Sequence, residues 1–156
     1  MEQTTQSLAL YLATLRAITI IHQNCHWRSS GIAAYAHHLL FERLYEASQE
    51  TLDGAAEKLI GVFGDECLKL SMHNSFLGKV LSRYESLDSE DNFIVMALKI
   101  EKDFLKLSED LYKMLETQEL LTLGLDDFIM STASRHEEAV YLLQQTANMS
   151  SEENED

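Results

Sequence analysis

Proline is absent from the 156-residue chain and glycine occurs only six times, so little in it stops a helix once begun. No apolar run approaches the roughly 20 residues that a bilayer-spanning helix needs. The chain opens Met1-Glu2-Gln3 with no basic patch ahead of an apolar run, so no secretory leader is expected. Cysteine is scarce: Cys25 and Cys67 read as reduced thiols, Cys25 buried and inert, rather than as a disulfide framework. Positive charge is scarcer than negative. Twelve Lys and Arg stand against 26 Asp and Glu, a formal charge of −14, and neither end carries a basic cluster. Nucleic-acid binding takes most of its affinity from basic side chains on phosphates, so DNA is not an expected partner. Such a surface attracts cations instead. These absences point to a cytoplasmic protein without a membrane partner. Its length allows one domain with a full core, residues 1–149. The acidic segment Ser150 to Asp156 (SSEENED) follows as a solvated, disordered tail.

What is present is helical periodicity. Leu8, Leu12, Leu15, Ile18 and His22 recur at three- and four-residue steps, lining one face of a helix over about Thr5 to Trp27. Ser29-Ser30-Gly31 interrupts it, and a second helix follows over about Ile32 to Val62. Residues 65–88 lack a sustained period and read as a long connection with one short helix near Leu77 to Tyr84. A third helix starts at Asp88 or Ser89, with Glu90 and Asp91 in its first turn. Phe93, Ala97, Ile100, Phe104, Leu107, Leu111 and Met114 form its apolar seam. Gly124 should break it. The fourth helix, about Asp126 to Ala147, turns Phe128, Thr132, Ala139 and Leu143 inward. The expected fold is all-α: a ferritin-like four-helix bundle with one long crossover between helices 2 and 3.

The second helix carries the chemistry. His38 and Glu42 are four residues apart, as are Asp53 and Glu57, so each pair shares a face. At 100° per residue all four lie within an arc of about 100°, yet His38 and Asp53 stand about 22 Å apart along the axis. One metal ion cannot touch both. Two copies of this helix packed antiparallel across a two-fold axis would close the gap, with His38 and Glu42 of one copy facing the carboxylates of the other. His26, at the end of the first helix, can swing in beside His38. Imidazoles with carboxylates and open positions suit non-haem Fe(II).

This spacing resembles the ferroxidase motif of the Dps family, the miniferritins. The matching residues are His26-Trp27, Gly31, His38, Glu42, Asp53 and Ala56-Glu57-Lys58. The likeness continues through Phe41 and Tyr45, and into the last helix at His136-Glu137-Glu138 and Tyr141-Leu142-Leu143. Arg28, Ala34, Lys58 and Tyr141 depart from the family pattern without removing a ligand. The Lys-rich tail that lets some members bind DNA is missing. The resemblance implies a dodecameric cage built from two-fold dimers, with iron held at each dimer interface. His26 and His38 come from one subunit and Asp53 and Glu57 from its partner. Fe(II) is oxidised there by hydrogen peroxide or oxygen, and ferric oxide is stored inside. Trp27 would pack the site or accept an oxidising equivalent, and Asp127 falls near the acidic pore that admits iron.

Plainer readings apply to single residues. A lone helical histidine is more often packed or at the surface than a ligand. His22 is therefore expected in the core or an interface, His37 facing solvent, and His73 and His136 as packed or surface residues. No Glu-x-x-His occurs, so the motif of an iron centre inside one bundle is absent. There is no zinc-protease helix, P-loop or dinucleotide fingerprint. The reading is an iron-storing ferroxidase whose ligands are His26, His38, Glu42, Asp53 and Glu57. Its rivals are a DNA-compacting protein on the same cage and a structural shell without iron chemistry.

Overall fold

A computed structural model of the chain describes residues 2–87 and 93–152, with the backbone alone for 149–152. The described chain is all-α. Its elements are α1 (Glu2–Arg28), α2 (Ala34–Phe63), a 3-10 turn (Asp65–Leu68), α3 (Leu70–Glu85), α4 (Phe93–Thr117) and α5 (Leu123–Glu152). Among the described residues no helix is long and apolar enough to cross a membrane.

The four long helices neighbour one another in the order α1, α2, α5, α4 and back to α1, while α3 lies against α1. The apolar stripes explain this. Leu8, Leu12, Leu15, Ile18 and His22 of α1 are all 2% exposed or less. Ala97, Ile100, Phe104 and Leu111 of α4 are buried, and Phe93, Leu107 and Met114 pack half-buried beside them. Thr132, Ala139 and Leu143 of α5 face the same core, with Phe128 at its edge. Where α2 meets α5, Gly54 leaves just enough room: a Cβ there would sit 3.5 Å from the Phe128 ring.

The connection differs from the sequence expectation. In place of one short helix it holds the 3-10 turn and the 16-residue α3. Met72, Phe76, Leu77, Val80 and Leu81 pack on the core from α3, and Tyr84 is buried. The Tyr84 hydroxyl donates to Asp103 of α4, which also takes the Lys99 ammonium at 3.0 Å. Burial alone would raise the Asp103 carboxyl, but the Tyr84 bond and the two cations beside it, Lys99 and Arg83, hold it below its ordinary value. The expected cap of the third helix at Asp88 or Ser89, with Glu90 and Asp91, lies outside the described residues. At the other end α5 runs through Glu152, so the expected tail begins as helix, and 153–156 lie outside the described residues.

The break after α4 also moves. It falls at Glu119, not Gly124, which sits inside the first turn of α5. Glu119 takes φ 57°, its N–H donates to Glu116 O at 3.0 Å, and the Leu120 N–H reaches back to Leu115 O at 2.9 Å. This is a Schellman stop with a glutamate where glycine is usual. The Thr122 hydroxyl then accepts the Leu125 N–H at 3.2 Å and caps α5. A side chain in the left-handed region costs about 1–2 kcal/mol. Glu119→Gly should therefore stabilise the protein by about 1 kcal/mol, and Thr122→Ala should destabilise it by about 1 kcal/mol. Urea unfolding of the two variants beside the parent checks both signs.

Candidate functional site

The turn between α1 and α2 builds the first half of the site. The Ser29 hydroxyl donates to Cys25 O at 3.0 Å, tying off the end of α1. Gly31 then takes φ 83°, a conformation that favours glycine, and the Ala34 N–H closes the turn on Gly31 O at 3.2 Å. α2 is thereby laid back along α1.

This brings His26 and His38 face to face. Their rings stack with centroids 3.7 Å apart and planes 25° from parallel. Each ring also bonds the other residue's backbone: His26 Nδ1 meets His38 O at 2.9 Å, and His38 Nδ1 meets His26 O at 3.2 Å. A carbonyl oxygen only accepts, so both Nδ1 atoms must carry protons. In the neutral rings both Nε2 atoms are then bare lone pairs, the form that binds a metal ion. Tyr45 packs edge-on to His26 at 5.3 Å. His26 is buried while His38 is exposed.

The remaining expected ligands follow along α2. Glu42, one turn beyond His38, is half-buried, and Asp53 and Glu57 are exposed. The structure brings His26 and His38 together and leaves Asp53 and Glu57 further along the same unbroken helix, where a helical rise of about 1.5 Å per residue puts Asp53 about 22 Å from His38. Among the described residues no group of three or more His, Cys, Asp or Glu side chains converges within one chain to hold a metal ion. Asp53 lies on a groove lined also by Arg16, Glu46, Glu50 and His73. There the Arg16 Nε–H donates to His73 Nε2 at 3.0 Å. Burial first, and then the Arg16 charge, hold His73 below its ordinary pKa. Trp27 is 68% exposed and Asp127 is exposed near the start of α5. His37, expected to face solvent, is instead half-buried with its ring edge-on to Phe93 at 6.2 Å. Cys25 and Cys67 are buried and in no disulfide.

Sequence reasoning missed a second cluster. Glu101 of α4 is 1% exposed and bridges two buried histidines. His22 Nε2 of α1 lies 2.6 Å from Oε1, and His136 Nδ1 of α5 lies 2.5 Å from Oε2. Burial pushes the Glu101 carboxyl up, but the paired imidazoles, His136 foremost, outweigh it and bring the pKa from 4.5 to about 2. The ionised carboxylate only accepts, so both ring nitrogens donate. The signal was a charged residue among Ala97, Ile100 and Phe104, matched by His22 and His136 on the inner faces of their own helices.

No model of a known protein family matches the chain, and no curated protein sequence matches it.

The depressed Glu101 carboxyl fixes a pH dependence. Its stabilisation is complete above the ordinary value of 4.5 and is lost as the pH falls through about 2, because the unfolded chain binds the proton more tightly. Glu101→Gln removes this contribution, so its melting temperature should fall less steeply than the parent's between those pH values. Melts at half-unit steps across that interval test the difference.

Proposed function

We propose that the chain is a ferroxidase subunit of the Dps kind, folded as a ferritin-like four-helix bundle. Two copies would share each site: His26, His38 and Glu42 from one, Asp53 and Glu57 from the other. The observation that carries this reading is the reciprocal bonding of His26 and His38. Packing alone would not require both stacked imidazoles to commit Nδ1 to the backbone and so leave Nε2 as the bare nitrogen of each neutral ring. The face of α2 that carries His38, Glu42, Asp53 and Glu57 also carries Tyr35, Leu39 and Ile60 within the same arc of about 100°. These are 76%, 44% and 39% exposed, and large apolar groups among functional polar ones favour burial against a partner. Trp27, exposed in the single chain, would pack there too.

Iron is the substrate in this reading. The imidazoles bind Fe(II) as neutral donors and the partner's carboxylates balance its charge. Two Fe(II) ions give one electron each to a hydrogen peroxide molecule, which takes up two protons and leaves as two waters. The charge of −14 draws the cation in and disfavours the DNA-compacting alternative. Assembly into a twelve-subunit shell that stores ferric oxide, with Asp127 at its pore, belongs to the same proposal.

The test is anaerobic Fe(II) loading followed by hydrogen peroxide, with ferric absorbance and particle size measured together. Fast oxidation should disappear in His38→Ala and in Asp53→Ala. Because the sites are shared, unfolding and co-assembling the two variants should regain activity: each mixed dimer has one site with all its ligands. Oxidation no faster than buffer from a cage-sized parent particle would refute the ferroxidase and leave the shell reading. Activity lost in both single variants and not regained on mixing would refute the shared site.

A further inference from the structure

The His22–Glu101–His136 cluster lies outside the site just described, yet it bears on that site through α1. We infer that Glu101 is a positioning residue for the His26–His38 pair, holding α1 at the rotation that lets the two rings bond each other's backbone. The relevance to iron rests on the reading above; the positioning itself does not.

His22 and His26 are one turn apart on α1, so a rotation that moves one moves the other. His22 Nδ1 is buried without a partner, so the ring is directed by its Nε2–Glu101 bond alone. The other face of its surroundings is Phe41, with ring centroids 5.8 Å apart, and Phe41 lies three residues from His38 on α2. Phe41 in turn packs on Phe93 of α4 at 5.7 Å. The ring of His22 is thus set between the carboxylate of α4 and the helix that carries His38. Glu101 is itself directed by His136 from α5. Apolar contacts resist separation but tolerate small rotations. Two charge-assisted bonds to one carboxylate are short and directional, and buried polar groups of this sort can fix one register among several. The His26–His38 arrangement needs that precision: two Nδ1–H bonds at 2.9 and 3.2 Å require both helices in one relative rotation.

The test uses the full-length, metal-free chain with 15N-labelled histidine, in which ring-nitrogen shifts report where each proton sits. In the parent His26 and His38 should be Nδ1-protonated with bare Nε2. Glu101→Gln and His136→Gln are compared; the His136 ring meets Glu101 and Phe104, both on α4, so His136→Gln reaches the carboxylate from the α5 side. In both variants the His26 and His38 signals should become a mixture of tautomers, and Co(II) titrated into the protein should bind about tenfold more weakly. Leu115→Ala, about 21 Å away along α4, should lower the melting temperature and leave those signals unchanged. Unchanged tautomers in a folded Glu101→Gln or His136→Gln overturn the inference. So does equal disturbance by Leu115→Ala, or failure of both polar variants to fold, since either makes the role purely structural. A parent that binds no Co(II) counts against the metal site, while the tautomer comparison still decides the positioning.

Discussion

The enclosure of α1 is the constraint on which the other helices depend. It packs against α2, α3 and α4, and 14 of its 27 residues are buried, so it has little face left for solvent. Ala9, Ala13 and Ala17, all 0% exposed and one turn apart, keep that side thin enough for a neighbouring helix to approach. An unpaired buried polar atom costs such a helix about 1–3 kcal/mol; His22 Nδ1 is left so, but other polar atoms of α1 find partners. Thr14 does so locally, donating to Leu10 O at 2.8 Å. His22 and His26 do so across the fold, through Glu101 and the His38 carbonyl. The polar partners of α1 are thereby also the contacts that align it with α2 and α4.

How much of this was legible follows from what a pattern can encode. The stripes of α1 and α4 were readable because buried or half-buried core residues recur on one face over about four turns in α1 and about six in α4. α3 was half missed although Met72, Phe76, Val80 and Tyr84 recur every fourth residue. Most of that stripe is only partly buried, and His73, Asn74 and Gly78 interleave it, so its amphipathic contrast is weak. Gly124 misled for a different reason. Glycine ends a helix when the chain needs its left-handed conformation, and here the turn placed that need on Glu119, which nothing in its composition announces. The stacking of His26 on His38 was within reach, since one short turn joins them. The Glu101 cluster was not: its bonds span 79 and 35 residues of sequence, and only the packed helices reveal that three separate core-facing polar residues meet.

The rigidity of α2 governs what the candidate ligands can do. Thirty residues run without interruption from Ala34 to Phe63, with Gly54 and Gly61 absorbed into the helix. An unbroken helix preserves the separation of His38 from Asp53, so no side-chain rearrangement within one chain can gather the whole set. The separation was legible from spacing alone, because it depends on helix geometry and on nothing tertiary. What spacing could not supply was the state of the histidines. The reciprocal backbone bonds, which fix both protons on Nδ1, depend on the turn at Gly31, which lays the two helices side by side.

The two polar clusters are built on opposite terms. Around Glu101 one carboxylate is enclosed with two imidazoles, each donating to a different oxygen, and its ionised state is held far below the usual range. Such a group, 1% exposed, gives a ligand little access; its strength is direction. Along α2 two imidazoles spend their Nδ1 protons on the backbone and keep Nε2 open, while the carboxylates that would match them stay exposed at the far end. The first arrangement closes on the carboxylate within the chain, with His22 Nδ1 left unpaired. The second is left open within one chain, with the imidazoles near one end of α2 and Asp53 and Glu57 toward the other. If the inner cluster sets the rotation on which the outer pair depends, the polar core and the His26–His38 pair are one device: the cost of burying Glu101 is met by a geometry that a wholly apolar core would hold less sharply.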